Sequence, residues 1–181
     1  AELIHSLNTF SHIRIPFLPF ITETVMISKK RIDDHKELYK QKHIPAHFFN
    51  RITYVSNAII LPASNNLSKS STVFTVLFAG RGGIEKRIHL ITAMAENLKH
   101  TDTSIQFEIL GDVSGSVDIA KYPYVKFYGN QSDNERISKI YQNAHLLLLT
   151  SSTEGFPMVV IEAMAHGCAV AATPVGDIPL H

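Results

Sequence analysis

Two glutamates eight positions apart, Glu154 and Glu162, have the most informative setting in the 181-residue chain. Glu162 interrupts the stretch MVVIEAMA (158–165), which is apolar on every helical side and predicts a mostly buried helix. A carboxylate there is costly unless hydrogen-bonded, so it needs either a protein cation in a structural ion pair or the hydroxyls of a ligand. Glu154 lies in the loop Thr150-Ser151-Ser152-Thr153-Glu154-Gly155-Phe156, at the mouth of the same helix, where free N–H groups attract anions. Two carboxylates flanking a helix N-terminus suit hydroxyls at both ends of a diphosphate. The alternative is an ion-paired Glu162 and a solvated Glu154.

A second candidate is Gly80-Arg81-Gly82-Gly83-Ile84-Glu85-Lys86. Glu85 occupies the place of the second glycine of a Walker loop and of the last glycine of GxGxxG, so it is neither. It still offers a glycine backbone, an Arg fork and a Lys point charge, which suit phosphate oxygens. A tight turn with two solvated cations is the other reading. Gly111-Asp112 and Gly129-Asn130 form a third element, where a base or ribose can approach the backbone closely; each alone also reads as a turn.

The elements that must position these residues follow from periodicity. Runs at 73–79, 105–110, 124–128, 145–149 and 168–173 read as strands. They alternate with helices at 86–99, 132–144 and 157–166. Ile88, Ile91, Ala95 and Leu98 face one side of the first helix. Ser132 and Glu135 form a capping box on the second, with Ile137, Ile140 and Tyr141 as its stripe. Pro157 suits the first turn of the third helix, and Gly167 its C′ position. Apolar strands separated by helices predict a Rossmann-like, doubly wound parallel sheet, whose ligands bind at the strands' carboxyl ends. Residues 63–71 (ASNNLSKSS) read as a linker. Before it, 9–21 reads as a buried connector, 23–28 and 51–60 as β-type runs, and 30–42 as a surface helix presenting Ile32, His35, Leu38 and Tyr39.

Composition excludes several classes. With 45% hydrophobic and 18% charged residues the chain is globular. Its 17 Lys and Arg against 16 Asp and Glu lack the surplus that phosphate-backbone binding needs, so no nucleic-acid partner is expected. One cysteine, Cys168, permits no disulfide framework or Cys-based zinc site within the chain and suits a reducing compartment. Of the 10 His, only His43 and His47 have helical ligand spacing, and Pro45 lies between them. No apolar stretch approaches the roughly 20 residues of a membrane span, and no signal peptide is evident. Ala1 and His181 read as arbitrary ends within a longer chain.

Taken together, these residues resemble the C-terminal half of a GT-B glycosyltransferase, specifically retaining glycosyltransferase family 4 (glycosyl transferases group 1). The family's E-x7-E motif stands as Glu154-Gly155-Phe156-Pro157-Met158-Val159-Val160-Ile161-Glu162, followed by Ala163-Met164-Ala165-His166-Gly167-Cys168-Ala169-Val170-Ala171-Ala172-Thr173. Its phosphate loop stands as Gly80-Arg81 with Lys86. The resemblance covers 73–181, and more weakly 24–60, through Met26-Ile27-Ser28 and Val55-Ser56-Asn57. Departures are Arg87 and Ala58 in place of glycine, Cys168-Ala169 in place of x-Pro, and Asp177 and Leu180 in the segment similar to GGIPE.

The resemblance implies that 1–62 is the tail of an N-terminal acceptor domain. It makes 72–181 a nucleotide-sugar domain truncated at its end. Arg81 and Lys86 would hold the donor diphosphate, with Gly80 and Gly82 in the same loop. Glu154 would hold and position the transferred sugar, and the N–H groups around Gly155, Phe156 and Pro157 would face sugar or phosphate. Glu162 would take the ribose hydroxyls, and Gly129 and Asn130 the nucleobase. No metal and no cofactor are implied, since the cations serve the leaving diphosphate; the donor is a nucleotide-diphosphate sugar. The acceptor, a sugar or a lipid-linked sugar, would come through the missing domain. The setting implied is cytoplasmic, in bacterial polysaccharide or glycolipid synthesis, with peripheral contact at the inner membrane face open to the full-length protein. The fragment alone is expected to be inactive. A non-catalytic nucleotide-binding module and a sugar-nucleotide epimerase of the same shape are the alternatives.

Overall fold

The computed structural model describes residues 2–4, 11–61, 69–101 and 104–180. The chain packs as two units. Ala1–Ala58, Glu154–Pro157 and Pro174–His181 form the first, and Ile59–Thr153 with Met158–Thr173 the second.

The first unit has a three-stranded parallel sheet of β1 (Glu2–Ile4), β2 (Thr24–Met26) and β3 (Ile52–Tyr54), with β2 central. Helix α1 (Lys29–Gln41) follows β2 and buries His35 and Tyr39, two of the four residues expected on its inner side. Ser28 caps it, its hydroxyl accepting the Arg31 N–H at 3.2 Å. Burial holds the His35 imidazole below its ordinary pKa, against an opposing hydrogen bond to the Arg31 carbonyl. Tyr39 stacks on Phe49 at 5.8 Å. The connector expected to be buried is instead a 3-10 helix at Ser11–Phe20, where Phe17 is 58% and Phe20 84% exposed and Leu18 is the one buried hydrophobe. Pro16 and Pro19 lock φ and remove two donors, which disfavours a regular α-helix. The β-type run at 51–60 pairs only over β3.

The second unit is a five-stranded sheet of β4 (Phe74–Ala79), β5 (Ile105–Leu110), β6 (Lys126–Gly129), β7 (Leu146–Leu149) and β8 (Ala169–Ala172). Its order is β6-β5-β4-β7-β8, and every strand pair is parallel. This is the doubly wound sheet that the sequence predicts. Sequence order reverses at β4, which lies between β5 and β7, and that switch point is where such sheets bind ligands. Leu77, Ile109 and Leu147 on three adjacent strands are fully buried. Helices α2 (Ile88–Leu98), α3 (Asn134–Asn143) and α4 (Met158–Ala165) make three of the four connections, and the segment between β5 and β6 holds only the 3-10 turn Ile119–Lys121. Among the described residues, no helix is long and apolar enough to cross a membrane.

Two local expectations are corrected. The cap of α3 is Asp133, not Ser132: its carboxylate accepts the Glu135 and Arg136 N–H groups at 2.9 and 3.3 Å. An Asp one residue later serves as well as a Ser. Helix α4 is not mostly buried, because only Val160 and Ala163 pack fully while Met158 and Met164 are 37% and 58% exposed. Apolar composition on every side did not translate into neighbours on every side. Of the linker expected at 63–71, residues 63–68 lie outside the described part. Lys69 next to it is no free surface cation, since its Nζ donates to the carbonyls of Gln142 (3.2 Å) and Ala144 at the end of α3.

Arg87, a departure from the family pattern, sits in the left-handed region at φ 50, ψ 44, just before α2. An L-residue there costs free energy that glycine does not. Among the described residues the Arg87 side chain makes no hydrogen bond or ion pair, and its carbonyl accepts the Thr150 hydroxyl at 3.2 Å, a bond that glycine would keep. Arg87→Gly is therefore expected to raise stability by about 0.5–1 kcal/mol, offset in part by the freer unfolded chain. Urea denaturation checks this, and a midpoint that falls would contradict it.

Candidate functional site

In the second unit a cavity of about 500 Å³ opens at the carboxyl ends of β4, β5 and β6. That size lies within the range of small-molecule sites, roughly 300–1,000 Å³. Its lining comes from the strand ends 79–81, 110–112 and 130–131, from Asn134, Ile137 and Tyr141 on α3, and from Val159 and Glu162 on α4. The α3 residues have spacings of three and four, which place them on one helical face. Val159 and Glu162 share a face of α4 for the same reason.

Backbone contacts shape the mouth. Gly80 N–H donates to the Leu110 carbonyl (2.9 Å), Gly82 N–H to the Asp112 carbonyl (2.7 Å), and Gly111 N–H to the Gly129 carbonyl (2.9 Å). Gly111 has φ +116, and a Cβ there would stand 2.1 Å from the Gly80 carbonyl oxygen. The close approach that this glycine permits is therefore made by the chain itself. Asp112 turns inward on its own loop, accepting the Ser114 N–H and hydroxyl at 3.0 and 2.7 Å. Those two bonds hold its carboxyl below the usual carboxylate range.

Of the three charged residues that line the cavity, Arg81 and Glu162 do not satisfy each other. Arg81 is its one cation and makes no hydrogen bond or ion pair with a described residue. Glu162 accepts the Tyr141 hydroxyl at 2.7 Å on Oε2 and has no cation partner among the described residues. The structural ion pair open to Glu162 is thus not formed; a phenol takes its place. Burial, and then the Glu162 carboxylate, push the Tyr141 phenol far above its ordinary range, so it stays a donor.

Gly80, Arg81, Asn130 and Glu162 are thus brought together. Gly82 and Gly129 shape the mouth through backbone contacts but are not among the lining residues. Lys86 ends the 3-10 turn Ile84–Lys86 and does not line the cavity either; its carbonyl accepts the Thr150 hydroxyl at 2.9 Å. The neighbouring Glu85 carbonyl accepts the Ser152 N–H at 2.7 Å, tying the turn to the loop after β7.

Glu154, Gly155, Phe156 and Pro157 belong to the first unit. Three consecutive carbonyls there accept bonds from distant residues. Arg31 Nη2 donates to Glu154 O at 3.2 Å, Asp177 N–H to Gly155 O at 2.8 Å, and Asn57 Nδ2 to Phe156 O at 2.7 Å. Gly176, with φ +60, fits only as glycine, since its Cβ would lie 2.1 Å from Gly155 O.

Sequence reasoning missed two residues. Tyr141 read as part of an apolar stripe, although a buried tyrosine hydroxyl needs a partner and was the available signal. Asp177 read only as a departure. It is fully buried and accepts the Ser28 hydroxyl (2.9 Å) and the Lys29 and Lys30 N–H groups (2.6 and 2.9 Å). No local signal marks a cap supplied from 147 residues away.

The second unit is a Rossmann-like α/β domain with its cavity at the ligand-binding edge of a parallel sheet. Residues 62–179 match the family of glycosyl transferases group 1, and the chain belongs to that family. It is 29% identical over 140 residues to the phosphatidylinositol N-acetylglucosaminyltransferase gpi3 subunit of Schizosaccharomyces pombe, covering 71% of this chain and 30% of that protein. It is 32% identical over 117 residues to the D-inositol 3-phosphate glycosyltransferase of Mycobacteroides abscessus, covering 58% of this chain and 25% of that protein. The chain thus spans less than a third of these relatives' length.

Among solved structures, Anabaena HepE in complex with UDP and glucose is 20% identical with a TM-score of 0.65, covering 97% of this chain and 52% of that one. S. aureus TarM, solved as a mutant in complex with Fondaparinux, alpha-GlcNAc-glycerol and UDP, is 19% identical with a TM-score of 0.74, covering 97% and 37%. These likenesses place the fold with the GT-B glycosyltransferases. Among the described residues, no three potential metal-ligating side chains cluster.

Proposed function

We propose that the full-length protein is a retaining glycosyltransferase of the family 4 type, and that this chain supplies its donor half-site. It would transfer a sugar from a nucleotide-diphosphate sugar to a sugar or lipid-linked acceptor. The acceptor site belongs to an N-terminal domain of which 1–62 is the tail, with 72–181 as the donor domain. The setting is cytoplasmic, with peripheral membrane contact where the acceptor is lipid-linked.

The observation that carries this reading is a cavity of about 500 Å³ at the sheet's carboxyl edge, lined by Arg81, which has no partner among the described residues, and by Glu162. Arg81 neutralises the diphosphate. Glu162 accepts the ribose hydroxyls, and Asn130 with the Gly129 backbone meets the base. Lys86 and Gly82 support the phosphate loop. Glu154 holds the transferred sugar, while N–H groups around Gly155, Phe156 and Pro157 face sugar or phosphate. Charge that develops on the leaving diphosphate is met by the Arg81 guanidinium.

Calorimetry with UDP, GDP and ADP tests the donor site. One of the three is expected to bind, and Arg81→Ala to weaken it by about 1–3 kcal/mol, the worth of a charge-assisted hydrogen bond. Equal affinity for wild type and variant would remove Arg81 from the site.

A further inference from the structure

We propose that Tyr141 is a positioning residue for the Glu162 carboxylate, and that its hydroxyl sets how strongly the site prefers ribose to deoxyribose. This rests on the reading of Glu162 as the ribose-binding group. The phenol donates to Oε2 at 2.7 Å, so one carboxylate oxygen is anchored to the protein. Oε1 has no partner among the described residues, and Glu162 lines the cavity. A vicinal diol presents two donors at fixed separation, and a carboxylate receives both only if its plane is held.

The anchor is itself fixed on several sides. Tyr141 is 1% exposed, and its ring stacks on His166 at 5.4 Å with planes 20° apart. His166 Nδ1 lies 2.7 Å from the Glu162 carbonyl, which can only accept, so that nitrogen carries a hydrogen. His166 Nε2 pairs with Ser138 Oγ at 2.9 Å. The Tyr141 carbonyl accepts the buried Cys168 thiol at 3.1 Å. Residue 162 is thus held from α3 through its side chain and from His166 through its backbone. Without the hydroxyl, the carboxylate would be free to turn about its terminal torsion, a broad and weakly restricted one.

The test measures the affinities of UDP, GDP and ADP and of their 2′-deoxy forms for wild type, Tyr141→Phe and Glu162→Gln. Phenylalanine keeps the ring and its stack on His166. The ribo-to-deoxy ratio within one sample is independent of the folded fraction, so loss of stability in the variant does not mimic the effect. Wild type is expected to prefer the ribo form about tenfold or more, as for a hydrogen bond to a charged acceptor. Tyr141→Phe should lower that ratio about as far as Glu162→Gln does. If Glu162→Gln lowers it and Tyr141→Phe leaves it unchanged, the role of Tyr141 is refuted while Glu162 stays in the site. If wild type shows no preference, or binds none of the three, the assignment of Glu162 fails and takes this inference with it.

Discussion

Asp177→Ala is expected to cost the first unit about 3 kcal/mol or more. The carboxylate accepts three bonds, from the Ser28 hydroxyl and from the first two N–H groups of α1, and it is fully buried. Hydrogen bonds to a charged group are each worth about 1.5–3 kcal/mol, and the donors left behind lose their partner away from water. A negative charge at a helix N-terminus adds a favourable dipole interaction. The Ser28–Arg31 bond survives the substitution and limits the loss. For a chain of this size the expected fall in melting temperature is roughly 6–12 °C. Thermal unfolding followed by circular dichroism measures it. A fall of under about 1 °C would mean that Ser28 alone caps α1, since one degree is well under 1 kcal/mol at this length. Asp177→Asn should fall between the two, because the amide keeps an acceptor but loses the charge.

Gly111→Ala should damage both fold and site. The new Cβ would lie 2.1 Å from the Gly80 carbonyl oxygen and 2.8 Å from its carbon, both backbone atoms, at a φ of +116. Strain at such a dihedral is on the order of 1–3 kcal/mol, and relief of the clash requires β4 and β5 to part at their carboxyl ends. Gly80 and Gly111 both line the cavity, so that movement displaces Arg81 with them. The expected result is a destabilisation of about 3 kcal/mol with loss of detectable nucleotide binding in the protein that remains folded. Gly115→Ala is the control, because a Cβ there meets nothing within 4 Å. Equal nucleotide affinity in wild type and Gly111→Ala would show that the strand-end geometry does not govern the site.

The central strands β4 and β5 of the second unit were legible because most of their residues are buried, unlike those of the edge strands β6 and β8. A strand covered on both faces must be apolar at almost every position, and FTVLFA, IQFEIL and LLLL carry that signature without neighbours. The parallel arrangement followed from the helices between them. Arg81 and Glu162 were legible as candidates because a cation after a strand and a carboxylate in an apolar helix both conflict with their local setting. Such conflict marks sites.

What only the tertiary structure decided are the pairings between residues far apart in the chain. Glu162 needs a partner by its type and position alone, but that the partner is Tyr141, 21 residues earlier, depends on α3 and α4 lying side by side. Asp177 serves a helix that begins at Lys29. The exposure of Met158 and Met164 depends on how many elements reach α4, not on its own composition. Hydrophobic period and turn chemistry are local quantities, carried by a few consecutive residues. A hydrogen bond needs two groups within about 3 Å, and that distance exists only once the chain has folded.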